Sequence, residues 1–163
     1  MFRFILFFIL GVLSYPICAQ NGKPSFSILG GYEINYFGKN GLIHPRFEHK
    51  NNILEFGTNY NFSDGFSNNP VLGIGIYYGY KLAEKNKWSA ELGIEYRRQK
   101  PLRIVNIQTI CYTSSMVYSI NENWRAISRI GYGVATERSA SAGSFDQFNN
   151  ITGSVSILCA YIF

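Results

Sequence analysis

The side chains best equipped for chemistry in this chain are few, and their spacing does not assemble a catalyst. His44 and His49 are the only histidines. Ser114 and Ser115 offer hydroxyls, but a serine becomes a nucleophile only beside a base, and neither histidine falls at a spacing that supplies one. Cys111 and Cys159 lack the clustered His, Cys or acid that a metal site needs. No glycine-rich phosphate loop is present, and no cofactor is expected. The pattern that does recur is charge. Glu33, Glu48, Glu55, Glu91 and Glu95 share one face of the strand pattern with Arg46, Lys81, Arg97, Arg125 and Arg129. Equal numbers of each sign are what a common interior requires, because a buried charge is costly unless paired. Such a set could form a self-neutralising plug or a gated ion or proton path. A second basic group, Arg98, Lys100 and Arg103 around Pro101, has the residue types that suit phosphate.

Positioning those charges requires strands. The chain closes on the segment Ile151–Phe163, in which Ile151, Val155, Ile157, Tyr161 and Phe163 alternate with Thr152, Ser154, Ser156 and Ala160. Near-regular alternation over about ten residues fits a strand crossing a bilayer at a tilt. Seven more segments read the same way: 26–37, 42–49, 53–62, 71–82, 88–97, 107–120 and 124–136. Pro45 makes the second the weakest, since proline cannot donate a ladder hydrogen bond. Every second connection is short (50–52, 83–87, 121–123). The others run longer, over 63–70, 98–106 and 137–150, with the tight 38–41 as an exception. Short turns on one side and longer loops on the other, on an even strand number, mark a barrel that spans a membrane.

Alternation alone does not say which face points inward, but volume does. One face holds Phe26, Tyr32, Phe56, Tyr78, Trp88, Trp124, Tyr132, Tyr161 and Phe163, too much bulk for the narrow interior of eight strands. The other holds Gly31, Gly57, Gly73, Gly75, Gly79, Gly93, Gly131 and Gly133 with the charges. Small and polar residues therefore turn in, and the aromatic face turns to lipid. Phe26, Trp88, Trp124, Tyr80, Tyr118, Tyr161 and Phe163 gather at one set of strand ends, and Tyr36, Tyr60, Phe62 and Tyr96 at the other, as two interfacial girdles.

Met1–Arg3, the apolar run to Leu13 and the small residues up to Ala19 read as a cleaved secretory signal, leaving residues 20–163 as one barrel domain. Cys111 and Cys159 fall on opposite faces, so two free thiols are expected. Aromatics reach 17% while charged residues fall to 15%, well below the soluble average of about 25%. The net charge of +5 is scattered rather than run together, so a nucleic-acid partner is not expected.

With these features, and with Ala160-Tyr-Ile-Phe163 at its end, the chain resembles the small OmpA/OmpX-type outer-membrane β-barrels over its whole mature length. The resemblance is architectural. It implies an all-β, eight-stranded antiparallel up-and-down transmembrane barrel in the outer membrane of a Gram-negative bacterium. The expected activity is non-enzymatic: an envelope-structural role, or surface interaction through external loops. Outer-membrane lipid and lipopolysaccharide are the expected partners, with Arg98, Lys100 and Arg103 near the headgroups. The barrel-assembly machinery would recognise the terminal aromatic, and a monomer is expected. Cell-wall anchoring is not, for want of a further domain. Similar small barrels include lipid A-modifying enzymes, so a lipid A-modifying activity is one alternative and a small pore the other.

Overall fold

The computed structural model describes residues 24–62, 71–102, 104–141 and 144–163, with the side chains of residues 140–145 left aside. Residues 1–19, read above as a signal, residues 63–70, read as a loop, and Arg103 lie outside them. Eight strands follow one another: β1 (Ser25–Asn35), β2 (Gly38–His49), β3 (Asn52–Asn61), β4 (Val71–Lys85), β5 (Trp88–Leu102), β6 (Val105–Ser119), β7 (Trp124–Ser141) and β8 (Ser144–Ile162). Each pairs antiparallel with the next, and β8 returns to β1 with Ser27 opposite Ile162 and Ile34 opposite Val155. The barrel is closed. Closure leaves no sheet edge within the bilayer, where an unpaired backbone group has no water to turn to.

The side chains sort by parity. On β8, Thr152, Ser154, Ser156, Leu158 and Ala160 are buried while Ile151, Val155, Ile157 and Cys159 are exposed. Around the wall Ile74, Leu92, Ile110, Ile130 and Ile157 form a continuous exposed apolar belt, the last at 70% exposure. A belt that large is tolerable only against lipid. At the turn end that holds both described termini, ring contacts link Phe26 to Phe47 and Phe163, Trp88 to Tyr118, and Trp124 to Tyr161, with centroids 4.7–5.6 Å apart. At the opposite end Tyr32 meets Phe62 at 5.8 Å.

Four connections depart from the sequence reading. β4 runs on to Lys85 past a register shift between Lys81 and Ala83, so the turn after it is Asn86–Lys87 rather than 83–87. The first turn is Tyr36–Phe37 rather than 38–41, because the Asn35 side chain accepts the Phe37 amide at 2.9 Å and starts an Asx turn. Gly38 then takes φ 107°, which favours glycine, and opens β2. Residues 98–106 are not a loop: β5 continues to Leu102 and β6 begins at Val105. The register breaks between Gln99 and Leu102, beside Pro101, which has no ladder donor to give. Residues 137–150 are likewise not a loop but a hairpin, paired in register up to Ser141 and Ser144. Its pattern hides from hydrophobic periodicity because it rises beyond the apolar belt. Pro45 causes no bulge. β2 keeps one register with β3 on both sides of His44 and Pro45, where the ladder merely lapses.

Candidate functional site

All ten alternating charges point into the barrel, and they join into one connected network. Arg46 holds three carboxylates: its Nε donates to Glu48 at 2.7 Å, Nη1 to Glu55 at 2.8 Å and Nη2 to Glu91 at 2.6 Å. Arg129 approaches Glu55 with both terminal nitrogens, at 3.0 and 2.8 Å, and lies 3.6 Å from Glu95. Arg97 donates to Glu95 at 2.7 Å and to Glu33. Arg125 reaches Glu48 at 2.7 Å, and Lys81 lies 3.7 Å from the same carboxylate. Register explains why distant residues meet. Glu55 sits directly opposite Arg46 on the β2–β3 ladder, although the two are nine residues apart in the chain.

Arg46, Arg97 and Arg129 are buried to 1–2% exposure, whereas Lys81 and Arg125 keep 15% and 22% of their side chains open at the turn end. Toward the other end the polar chain continues without charge. Ser156 donates to Glu33 at 2.7 Å, and Asn35 donates to the same carboxylate. Asn40 donates to Asn35 at 3.0 Å, and Gln99 to Asn40 at 3.0 Å. Buried Phe37 lies at that end. A cluster of buried apolar side chains, Leu29, Leu42, Val117, Ile127, Leu158 and Ala160, shares the interior with this network.

Glycines make the room. A Cβ on Gly93 would stand 2.5 Å from the Tyr77 ring, and one on Gly79 as close, so the two together form a seat for that ring. The Arg129 guanidinium stacks on Tyr77, 3.7 Å from its centroid. Gly57 and Gly75 seat the His44 ring in the same manner. Tyr77, Asn40, Gln99 and Ser156 belong to the site although sequence reasoning singled out none of them. Their parity was the available signal, since Tyr77 lies midway between inward Gly75 and Gly79.

Among the described residues no catalytic set forms around the histidine. His44 Nδ1 is 3.9 Å from Glu55, Ser115 accepts from Arg129 Nε at 3.1 Å, and Ser114 is turned outward. Of the basic group expected on a loop, Arg98 and Lys100 stand instead on the outer face of β5. Arg98 is half-buried there, its Nε donating to Asn106 at 2.9 Å, and Lys100 is exposed. Buried Cys111 and exposed Cys159 lie on opposite faces of the wall, both free.

No protein-family model and no curated protein matches the chain. Solved structures do. A barrel from the de novo design of transmembrane β-barrels superposes with a TM-score of 0.57 at 10% identity, over 88% of this chain and 100% of that one. Outer membrane protein AlkL, solved in lipid bilayers, gives 0.51 at 9% identity, over 92% and 95%. A major outer membrane protein from Thermus thermophilus gives 0.49 at 12%, over 87% and 100%. At such identities the first two show the fold alone: this chain has the closed, eight-stranded antiparallel architecture of transmembrane β-barrels.

Proposed function

We propose that the chain is a non-enzymatic integral protein of the bacterial outer membrane, with an envelope-structural or surface-interaction role. Its lumen is a plug, and its work falls to the surfaces beyond the bilayer. The observation that carries this reading is the closed charge network. Three arginines are buried to near zero exposure, and each is matched by carboxylates from facing strands, which leaves an ion no continuous water to follow. The long β5–β6 and β7–β8 hairpins form the outward surface, and the turn end faces the periplasm. Insertion by the barrel-assembly machinery and a monomeric state belong to the same reading.

The test is gel migration of outer-membrane fractions, boiled against unboiled, with full-length protein and with a variant trimmed of residues 139–149. A heat-shifted band for both, with surface binding lost on trimming, is the expected result. Recovery as a soluble, unshifted protein would overturn the membrane assignment and favour a secreted ligand-binding barrel. Unchanged surface binding after trimming would remove the hairpin from the role.

A further inference from the structure

On its outer face the β5–β8 wall changes from apolar to polar in one step along each strand, and to basic on β5. Tyr96, Ile110, Val134 and Ile151 lie opposite one another in register across the four strands, and Ile110, Val134 and Ile151 are exposed at 56%, 48% and 72%. The next same-face row, about 7 Å further out, is Arg98, Gln108, Thr136 and Asn149. The row beyond pairs Asn106 with Arg138 and Arg138 with Gln147, and Lys100 stands beyond Arg98 on β5. Among the described residues, every charge on this face above the apolar row is positive. The nearby acids Glu137 and Asp146 have the opposite parity and face the inner side of the hairpin.

The arginines are held rather than loose. Arg98 is fixed through Nε to Asn106 at 2.9 Å, and Arg138 through Nε to Gln147 at 3.2 Å. Thr136 donates to Asn149 at 2.9 Å between them. A guanidinium tethered at Nε keeps its terminal fork for a second partner, and a fork suits phosphate oxygens. The two arginines are two strands and one same-face step apart, about 12 Å between Cα atoms. That spacing places them on either side of one headgroup.

We propose that Arg98 and Arg138, with Lys100, form a binding site for an outer-leaflet lipid that carries an anionic phosphate monoester. Its phosphate lies between the two guanidinium groups and its acyl chains lie on the Tyr96–Ile110–Val134–Ile151 row. The position selects the ligand class. A group immediately above a lipid-facing belt sits at headgroup height, where an all-positive patch meets lipid phosphates. The proposal rests on the outer-membrane reading above, and it adds Arg138 to the basic group visible in the sequence.

The full barrel is refolded into phosphatidylcholine vesicles containing either lipid A with its phosphates or dephosphorylated lipid A. The heat-unfolding midpoint is then read from gel migration. The wild type is expected to melt higher with the phosphorylated lipid. In Arg98→Gln/Arg138→Gln that difference disappears, while the midpoint in phosphatidylcholine alone is unchanged. Arg98→Lys keeps part of it. An equal difference in the double variant, or none in the wild type, overturns the site. Inorganic phosphate reproducing the whole effect overturns the lipid assignment. Failure of the outer-membrane reading shows differently, as no heat-shifted band in any vesicle.

Discussion

The guanidinium of Arg129 lies 3.7 Å from the centre of the Tyr77 ring, and this contact joins the two devices that fill the barrel. Tyr77 occupies space that Gly79 and Gly93 vacate, and Arg129 uses the ring as one wall of its pocket while two nitrogens face Glu55. Shape and charge are thereby settled together. The ring fixes where the cation lies, and the cation fixes which carboxylates can be buried.

Arg129→Ala should therefore destabilise the barrel by about 3–5 kcal/mol, the usual cost of stranding one partner of a buried ion pair. Glu55 would keep Arg46 but lose both Arg129 bonds. The double variant Arg129→Met/Glu55→Leu should recover part of the loss, because Arg46 retains Glu48 and Glu91. Urea unfolding in vesicles measures both. A double variant no more stable than Arg129→Ala would sink the pairing argument.

The glycines should divide sharply by site. Gly93→Ala puts a methyl 2.5 Å from both the Tyr78 carbonyl oxygen and the Tyr77 ring, so an overpacking loss of about 1–3 kcal/mol is expected. Gly153 is exposed on the lipid face, and its nearest neighbour would be 3.4 Å away, so Gly153→Ala should be close to neutral. Comparable losses at the two positions, in the same unfolding measurement, would contradict the seat assigned to Tyr77.

The thiols report which face is which. In the folded barrel a lipid-soluble maleimide should label Cys159 and leave Cys111 untouched, and a charged maleimide should label neither. After boiling in detergent both should react. Mass spectrometry of the labelled peptides decides it. Preferential reaction of Cys111 in the folded state would mean that the inner and outer faces are reversed.

Much of this architecture was legible because a closed barrel leaves a strong local trace. A one-residue slip would move every side chain to the wrong face, so alternation, bulk and charge locate the interior even without knowledge of which strands pair. Glu91, Glu95 and Arg97 could be placed inside from β5 alone. That Arg46 binds Glu91 was not legible, because it depends on how residues from separate strands converge across the lumen. The strand limits failed where the environment changes. Beyond the bilayer neither face of β7–β8 must be apolar, and polar pairs such as Arg138 with Gln147 replace the pattern that marks a strand. Tyr77 was missed for a different reason: an inward aromatic fits a narrow barrel only where neighbouring glycines make room, and that is a property of three residues on two strands.

The same filling bears on conduction. An ion crossing the lumen would have to pass the buried side chains of Phe37 and Asn40 at one end and the Arg46, Arg97 and Arg129 clusters in the middle. Displacing any of these arginines leaves buried carboxylates short of a neutralising partner, a cost of several kcal/mol for each ion pair broken. The wild-type barrel in a planar bilayer should therefore show conductance near background. Arg46→Ala/Arg129→Ala removes the two cations that hold Glu55 and leaves it facing Glu91 across enlarged space. That variant, provided it still shows a heat-shifted band, should give small openings that favour cations and shrink when Glu55→Gln is added. Large, stable openings in the wild type would make the network a gate rather than a plug, and the interior rather than the hairpins would become the seat of function.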